Sequence, residues 1–270
     1  MSKEYTLQLP ALDRFEVKYY FSSAPRVYAA RQYPTHMHDA IEIYVLLEGD
    51  ASFVVESSLY HPAPGDVILT KPNEIHNCVL NTDSVHNHLC FWVDASVGEV
   101  FSEFLQHDFG RGNLISPTPE DKLRLSALYD RLHAVSEEGD QRRGFYLLFE
   151  ILDILARTVG NVHAPQAIPA ELARILEDID AHLLAIDGLD YFTEKFFVSR
   201  STLGRLFRTY LHITPGQYLE AKRLAYSRML LKKGRSVLAA CMESGFSNPS
   251  NYIRLFKKRF GITPGEYRNT

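Results

Sequence analysis

The sequence of 270 residues has little of what marks secreted, disulfide-stapled or membrane proteins. Its three cysteines, Cys78, Cys90 and Cys241, stand at spacings that fit neither disulfide pairs nor a cysteine metal site, which is the usage expected in a reducing cytosol. It shows no secretory leader pattern and no long apolar run, so we expect neither export nor membrane insertion. A cytoplasmic globular chain of about two domains is therefore predicted.

Positive charge is scarce in most of the chain and concentrated at its end. The formal net charge is −4, but residues 190–270 carry +10 and residues 1–189 carry −14. Basic residues that only form a solvated face would be balanced by acidic ones nearby, and here they are segregated. This asymmetry predicts a polyanionic partner for the C-terminal part alone.

The C-terminal part contains one pattern twice. Residues 199–218 and 248–267 are identical at nine of 20 positions when offset by 49, including Arg205/Arg254 and an Ile-Thr-Pro-Gly run. Two copies are too few for a solenoid, so the repeat indicates a duplicated small module. In each copy a short apolar-striped helix leads through a tight turn into a second helix, which is the supersecondary unit that reads DNA in the major groove.

The segment 214–232 joins the two copies and has the features of one helix. Thr214 is a candidate cap, Pro215 suits the first helical position, and Lys232-Lys233-Gly234 closes the segment. Such a helix spans about 28 Å, close to the roughly 34 Å between successive major-groove faces. One chain is therefore expected to place both recognition helices on one side of a duplex.

Apolar stripes in the second helices are predicted to be buried: Leu203, Leu206 and Phe207 in the first copy, and Tyr252, Leu255 and Phe256 in the second. Two arginines at equivalent mid-helix positions, Arg205 and Arg254, lie opposite these stripes, and Gly204 shares the exposed face with Arg205. An arginine there can donate two hydrogen bonds to guanine, and the alternative is a structural pair with a carboxylate. The remaining basic residues of these helices suit phosphates, which supply affinity without sequence information. The predicted phosphate contacts are Arg208, Lys257, Lys258 and Arg259.

The second copy, from Gly245-Phe246 through Gly261-Ile262-Thr263-Pro264-Gly265-Glu266-Tyr267, resembles the C-terminal signature of the AraC/XylS transcription regulators. The resemblance covers about residues 170–270 and implies seven helices, two helix–turn–helix units and promoter binding. One departure is Phe197, where the family favours a small residue. The positions that the family pattern assigns to base contacts are Ser201, Arg205, Ser250, Asn251 and Arg254.

Residues 1–95 alternate apolar and polar residues between turn signals, a pattern typical of a β-barrel or sandwich. His36, His38 and Glu42 share strand parity and should point the same way, and His76 follows a Pro64-Gly65-Asp66 turn. The spacing resembles the two motifs of cupin barrels over residues 30–80. Three imidazoles and a carboxylate suit a divalent metal such as Zn, Ni, Mn or Fe, although the predicted function requires none.

The alternative interpretation is a polar effector pocket without metal. It would be lined by His36, His38, Glu42, Tyr44, His76, His88 and Trp92.

The predicted organisation is an α+β multidomain chain with a cupin-like N-terminal barrel, flanking helices and an all-α C-terminal domain. Its segments are a barrel at 1–95, a helical dimerisation or covering region at 96–160, a linker at 161–169 and a DNA-binding domain at 170–270. Two apolar helical stripes predict a homodimer or, alternatively, a cover for the barrel. They consist of Leu123, Leu125, Leu128 and Leu132, and of Phe145, Leu148, Phe149, Leu152 and Leu155.

The favoured function is a regulator, and not an enzyme, whose barrel senses a small molecule such as a sugar. Its predicted partners are promoter DNA, a second copy and RNA polymerase, and activation is the expected mode. Two alternatives remain open. One is a metal-dependent cupin enzyme with a DNA-binding appendage, which lacks a clear acid/base pair beside the histidines. The other is a metal or redox sensor using His36, His38, His76 and Cys78.

Overall fold

A computed structural model describes residues 3–8, 16–24, 35–82, 85–94 and 100–269. The chain divides into two compact units, Met1–Ala167 and Ile168–Thr270. The α+β organisation predicted from the sequence is confirmed, with strands in the first unit and helices throughout the second. Among the described residues, no helix combines the length and apolar character that crossing a bilayer requires.

Ten strands form two antiparallel sheets in the described part of the first unit. The larger sheet has the order β1-β2-β8-β3-β6-β9-β10 and the smaller has the order β5-β4-β7. Their bounds are β1 Lys3–Gln8, β2 Glu16–Ala24, β3 Ile41–Glu48, β4 Ala51–Val55, β5 Ser58–Tyr60, β6 Val67–Thr70, β7 His76–Leu80, β8 His86–Val93, β9 Leu114–Ile115 and β10 Val162–His163.

Strand β3 shows how the sequence creates two buried faces. Ile41, Ile43 and Val45 are packed in a core shared with the helices of this unit. Tyr44 and Leu46 belong to a second core that joins the two sheets. Because side chains alternate between the faces of a strand, the sheet is covered on one side by helices and on the other by the smaller sheet, which places Glu42 in the interior.

The described part of the first unit also contains three helices, α1 Ser102–Gln106, α2 Pro119–Glu138 and α3 Gln141–Thr158. The Thr118 side chain caps α2 by accepting a hydrogen bond from the Asp121 N–H. The predicted stripes of α2 and α3 are buried against the larger sheet, with two exceptions. Leu123 is 76% exposed and Phe149 is 46% exposed, because they lie on the faces turned away from the sheet.

The sheet also incorporates residues from outside the range predicted for the barrel. Strand β9 pairs with β6, and β10, from the predicted linker, pairs with β9. The Gln166 N–H then donates to the Leu59 carbonyl at 2.7 Å. The first unit therefore extends to Ala167, and only the last residues of 161–169 connect the two units.

The second unit contains seven helices within its described residues, the number that the family resemblance implied. They are α4 Ala170–His182, α5 Asp190–Phe196, α6 Arg200–Tyr210, α7 Pro215–Lys232, α8 Val237–Glu243, α9 Pro249–Phe260 and α10 Pro264–Arg268. Thr214 and Thr263 each form a capping box at the Ile-Thr-Pro-Gly repeat, which explains why this run occurs in both copies.

Candidate DNA-binding surface and effector site

The first recognition helix, α6, begins at a side-chain cap and buries one face. The Ser199 hydroxyl accepts a hydrogen bond from the Thr202 N–H at 3.0 Å, which fixes where the helix starts. Leu203, Leu206 and Phe207 are buried, as the periodicity predicted. The opposite face exposes Ser201, Arg205 and Arg208.

The second recognition helix, α9, has the same design. The Asn248 side chain caps it by accepting a hydrogen bond from the Asn251 N–H, and Tyr252 and Phe256 are buried. Ser250, Asn251 and Arg254 are exposed. The helix thus presents a polar face whose composition suits base edges.

Arg205 and Arg254 are not held in structural ion pairs with any described carboxylate. The Arg254 guanidinium donates to the Asn251 amide oxygen at 2.7 Å, so the side chains of Arg254 and Asn251 form a hydrogen-bonded pair on the exposed surface. A guanidinium oriented by a neutral amide keeps its full charge and its remaining donors for another partner.

Two residues of these helices are placed differently from the prediction. Gly204, expected on the exposed face of α6, is buried, because the Arg208 guanidinium lies over it at 3.5 Å from where a Cβ would stand. Arg259, predicted as a phosphate contact, is half-buried, and burial lowers its pKa against the opposing effect of Glu220. Lys257 and Lys258 are exposed as predicted.

The turns of the two helix–turn–helix units differ in having glycine in one and phenylalanine in the other, as the sequence indicated. Gly245 follows α8 with φ +84°, and Phe197 follows α5 with φ +55°. A left-handed conformation costs glycine nothing but costs other residues about 1–2 kcal/mol. The Phe197 side chain is also 94% exposed, so burial does not compensate for this conformation.

In the first unit, His36, His38, Glu42 and His76 converge. Their ligand-type atoms lie within 4.8 Å of one another. A Glu42 carboxylate oxygen is 2.7 Å from His38 Nε2 and 3.6 Å from His76 Nε2. The shared parity inferred for one strand was not the cause, because β3 begins only at Ile41. Instead, His36 is aligned by a backbone bridge to His76, with two N–H···O bonds of 2.8 Å.

The electrostatics of this cluster are those of a compact charged centre. Burial alone would raise the pKa of the Glu42 carboxyl, but His76 and His38 hold it well below its usual value. Burial alone would lower the pKa of His76, but Glu42 raises it. Three imidazoles and one carboxylate at this separation are a donor set that fits a divalent metal, and the residues present therefore fit such an ion.

The other predicted pocket residues surround this centre. The Trp92 Nε1–H donates to Glu42 at 2.8 Å, and Tyr44 Oη lies 2.7 Å from His86 Nε2. The His88 ring stacks on Tyr44 at 4.7 Å between centroids. Burial lowers the pKa of His86 to about 4 and that of His88 to about 3, so both imidazoles are neutral at neutral pH.

The predicted pocket residues omitted Tyr20 and His86, although His86 shares strand parity with His88, Cys90 and Trp92, which indicates that it faces the same cavity. Tyr20 Oη lies 3.2 Å from His88 Nε2, and its ring lies 5.3 Å from that of Trp92. Strand β2 brings Tyr20 opposite Cys90, and no local spacing signals this pairing.

Comparison with known proteins assigns both units. A model of an AraC-like ligand binding domain matches residues 26–148, and a helix-turn-helix domain model matches residues 192–270. The virulence regulon transcriptional activator VirF of Yersinia enterocolitica is 34% identical over 252 residues, covering 86% of this chain and 90% of its own length. The chain belongs to the AraC family of transcription regulators.

Two further similarities are weaker. The uncharacterized regulator YbfI of Bacillus subtilis is 26% identical over 227 residues, or 82% of each chain. A crystal structure of ToxT from Vibrio cholerae aligns over 100% of this chain and 96% of its own at 13% identity, with a TM-score of 0.40. That TM-score is too low to support an inference about this chain.

Family membership assigns a role to each unit of the chain. The second unit is the DNA-binding domain of an AraC-family regulator, and the first is its effector-binding domain. The relatives named above are transcription regulators, so the resemblance seen in the sequence is confirmed.

Proposed function

We propose that this AraC-family regulator binds promoter DNA through α6 and α9 in adjacent major grooves. The observation that carries the proposal is the equivalent exposure of Arg205 and Arg254 on two capped helices of one compact unit. Helix α7 joins them, and its 18 residues span about 27 Å. This length is compatible with the roughly 34 Å that separates successive major-groove faces.

The proposed contacts divide into base and phosphate readers. Base contacts are assigned to side chains exposed on the recognition helices, and phosphates to the flanking basic residues. Arg259 is left out of the phosphate group because its Nε and Nη2 atoms are buried. The proposed base contacts are Ser201, Arg205, Ser250, Asn251 and Arg254, and the proposed phosphate contacts are Arg208, Lys257 and Lys258.

The DNA-binding proposal is tested by selecting sequences from a random duplex library with the full chain. Arg254→Ala is expected to weaken binding to the selected sequence by about 1–3 kcal/mol and to relax the preference at one base pair. Arg205→Ala should do the same at a different position. If both variants weaken all sequences equally, the arginines contact phosphates and the assignment is wrong.

For the first unit we propose a small-molecule effector site centred on His36, His38, Glu42 and His76. The donor set supports a divalent ion there, which would supply a Lewis-acidic centre for an oxygen-bearing effector. Tyr44, His88 and Trp92 would form the surrounding wall, and neutral imidazoles suit hydroxyl groups such as those of a sugar.

Tryptophan fluorescence can test the effector proposal. Trp92 is the single tryptophan of the chain, and its indole donates to Glu42. Adding Zn²⁺, Ni²⁺, Mn²⁺ or Fe²⁺ to the chelator-treated full chain should change its fluorescence at one equivalent. His36→Ala should abolish the change. His61→Ala should not, because His61 Nδ1 is hydrogen-bonded to the Ser52 hydroxyl, which in turn donates to Asn81, in a separate network. An unchanged titration in His36→Ala would refute the site.

A metal-dependent enzyme or a metal or redox sensor is the second candidate, favoured by the same cluster of histidines. For redox sensing the position of Cys78 is unfavourable, because burial raises the pKa of its thiol to about 12 and the thiolate is the reactive form. A turnover screen of the metal-loaded chain distinguishes an enzyme from a regulator.

We further propose that the chain works as a cytoplasmic homodimeric activator that acts with RNA polymerase. The exposed side chains of α2 and α3, Leu123, Tyr146 and Phe149, offer an apolar dimer surface. VirF is named a transcriptional activator, which supports activation here. Sedimentation of wild type and Leu123→Glu tests the dimer, and equal masses for both would contradict this interface.

A further inference from the structure

The linking helix α7 packs against both helix–turn–helix units. On one side the Tyr218 ring contacts Phe207 of α6, with 5.7 Å between centroids. On the other side Leu224 shares a core with Tyr252 and Phe256 of α9. A cavity of about 330 Å³ lies between the two helix–turn–helix units. It is lined by α7, by residues 188–189 before α5 and by residues 245–248 after α8.

Arg223, in the middle of α7, lies between the two helix–turn–helix units. Its Nη2–H donates to the backbone carbonyl of Ile186, a buried residue just before α5. Burial lowers the pKa of the Arg223 guanidinium, with Asp187 acting in the opposite direction. The guanidinium is thus partly withdrawn from water, and it is held by the segment that leads into the first helix–turn–helix unit.

The other edge of the same guanidinium lies against Gly245, in the turn of the second helix–turn–helix unit. A Cβ built on Gly245 would stand 3.0 Å from Arg223 Nε and 3.3 Å from its Cζ. Such an approach is closer than ordinary carbon–nitrogen contact, so a Cβ at position 245 would force the guanidinium to shift by a few tenths of an ångström. Arg223 therefore contacts both the segment before the first helix–turn–helix unit and the turn of the second helix–turn–helix unit.

Other glycines show that this contact is separate from backbone conformation. Gly261 has φ +78°, close to the +84° of Gly245, but no atom lies within 4 Å of its hypothetical Cβ. At the equivalent turn of the first copy the chain has Phe197, whose side chain points into solvent. The second turn thus needs glycine for the guanidinium as well as for its φ angle.

We propose that Arg223 is a positioning residue that fixes the distance and angle between α6 and α9, and thereby the spacing between the two DNA half-sites that one chain accepts. An arginine suits this role because its planar guanidinium can contact groups in two directions, whereas a lysine is a single flexible point of contact. The inference rests on the proposed binding of DNA through both recognition helices.

The test uses the full chain and the duplex selected by the wild type, in which Arg205→Ala and Arg254→Ala identify the half-site read by each helix. One base pair is then inserted between the half-sites, which rotates one against the other by about a tenth of a turn. Wild type should lose about tenfold or more in affinity on the insertion, because a fixed pair of helices cannot follow both half-sites.

Gly245→Ala and Arg223→Lys should lose less than about threefold on the same insertion. Gly261→Ala is the matched control, with similar strain and no contact to Arg223, and it should keep the wild-type penalty. Thermal unfolding identifies any variant that is unfolded; Arg223→Lys keeps the charge and most of the stem, so it tests the inference even if Gly245→Ala does not fold.

Two results would overturn the inference, one by refuting the role of Arg223 and the other by refuting the proposed mode of DNA binding. If Arg223→Lys keeps the wild-type penalty, Arg223 stabilises the fold without setting the spacing. If the wild type selects no duplex, or only one half-site, the proposed mode of DNA binding is itself wrong.

Discussion

The carboxylate of Glu74 is expected to be one of the most sensitive groups in the first unit. It is fully buried and accepts four hydrogen bonds. The donors are Lys71 N at 2.7 Å, Lys71 Nζ at 3.2 Å, Gly110 N at 2.7 Å and Asn113 Nδ2 at 2.8 Å. Glu74 therefore connects the turn before β7 to the segment between α1 and β9.

Replacing Glu74 by alanine leaves a buried ammonium without its carboxylate. Lys71 is itself buried, and its remaining contacts are the carbonyls of Asp108 and Arg111 and the ring of Phe104. Removing one partner of a buried ion pair costs about 3–5 kcal/mol. Lys71 N and Gly110 N each lose their acceptor, which adds about 1–3 kcal/mol per group before relaxation. Asn113 Nδ2 loses one of its two hydrogen bonds and keeps the one to the Leu69 carbonyl. We expect Glu74→Ala to lower the free energy of unfolding by about 4 kcal/mol or more.

Urea unfolding followed by Trp92 fluorescence measures this change, because the single tryptophan lies in the same unit. The control is Lys71→Met combined with Glu74→Ala, which removes the stranded charge while leaving the backbone N–H groups of residues 71 and 110 and the Asn113 amide without Glu74. This double variant should be about 1–2 kcal/mol more stable than Glu74→Ala alone. A loss below about 1 kcal/mol in Glu74→Ala, or a double variant less stable than the single one, would refute the reasoning.

Three further predictions concern pH, helix capping and salt. Because His86 and His88 have pKa values lowered by burial to about 4 and about 3, only the unfolded chain binds their protons as pH falls below the ordinary 6.5. Each histidine should therefore cost the first unit about 2–3 kcal/mol of stability between pH 6.5 and pH 4, and the two together about 5 kcal/mol. His88→Gln should flatten that dependence in urea titrations, and an unchanged slope would contradict the assignment. Thr263→Ala removes a capping box and should cost the second unit about 1 kcal/mol in calorimetry, whereas Thr263→Ser should cost little. Lys258→Ala should weaken all duplexes alike and reduce the slope of log K against log salt by about one unit; a sequence-dependent loss would instead indicate a base contact.

The sequence predicted the site residues that depend on local order and failed where a distant segment decides. Leu203, Leu206 and Phe207 were predicted as a buried stripe because helix periodicity is local. Arg259 was misplaced because its burial depends on α7, where Glu220 lies near enough to influence its pKa. No spacing within α9 contains that information.

The histidine cluster is an intermediate case. The motif identified His36, His38, Glu42 and His76, and the structure brings all four together. The reason given, a shared face of one strand, was wrong for His36, which is aligned by pairing with His76. In the same way β9 and β10 were missed, because two-residue strands have too few residues to show an alternation.

Phe197 makes the two helix–turn–helix units unequal in local stability. Its left-handed backbone is not offset by burial of the ring. In addition, α5 buries one residue, Phe192, whereas α8 buries Ala240 and Cys241 and is followed by the buried Ser244. Segments with few buried contacts open at lower free energy than the rest of a domain. Amide hydrogens of α5 should therefore exchange before those of α8, and the N-terminal half of the DNA-binding unit is the part that bound DNA would protect most.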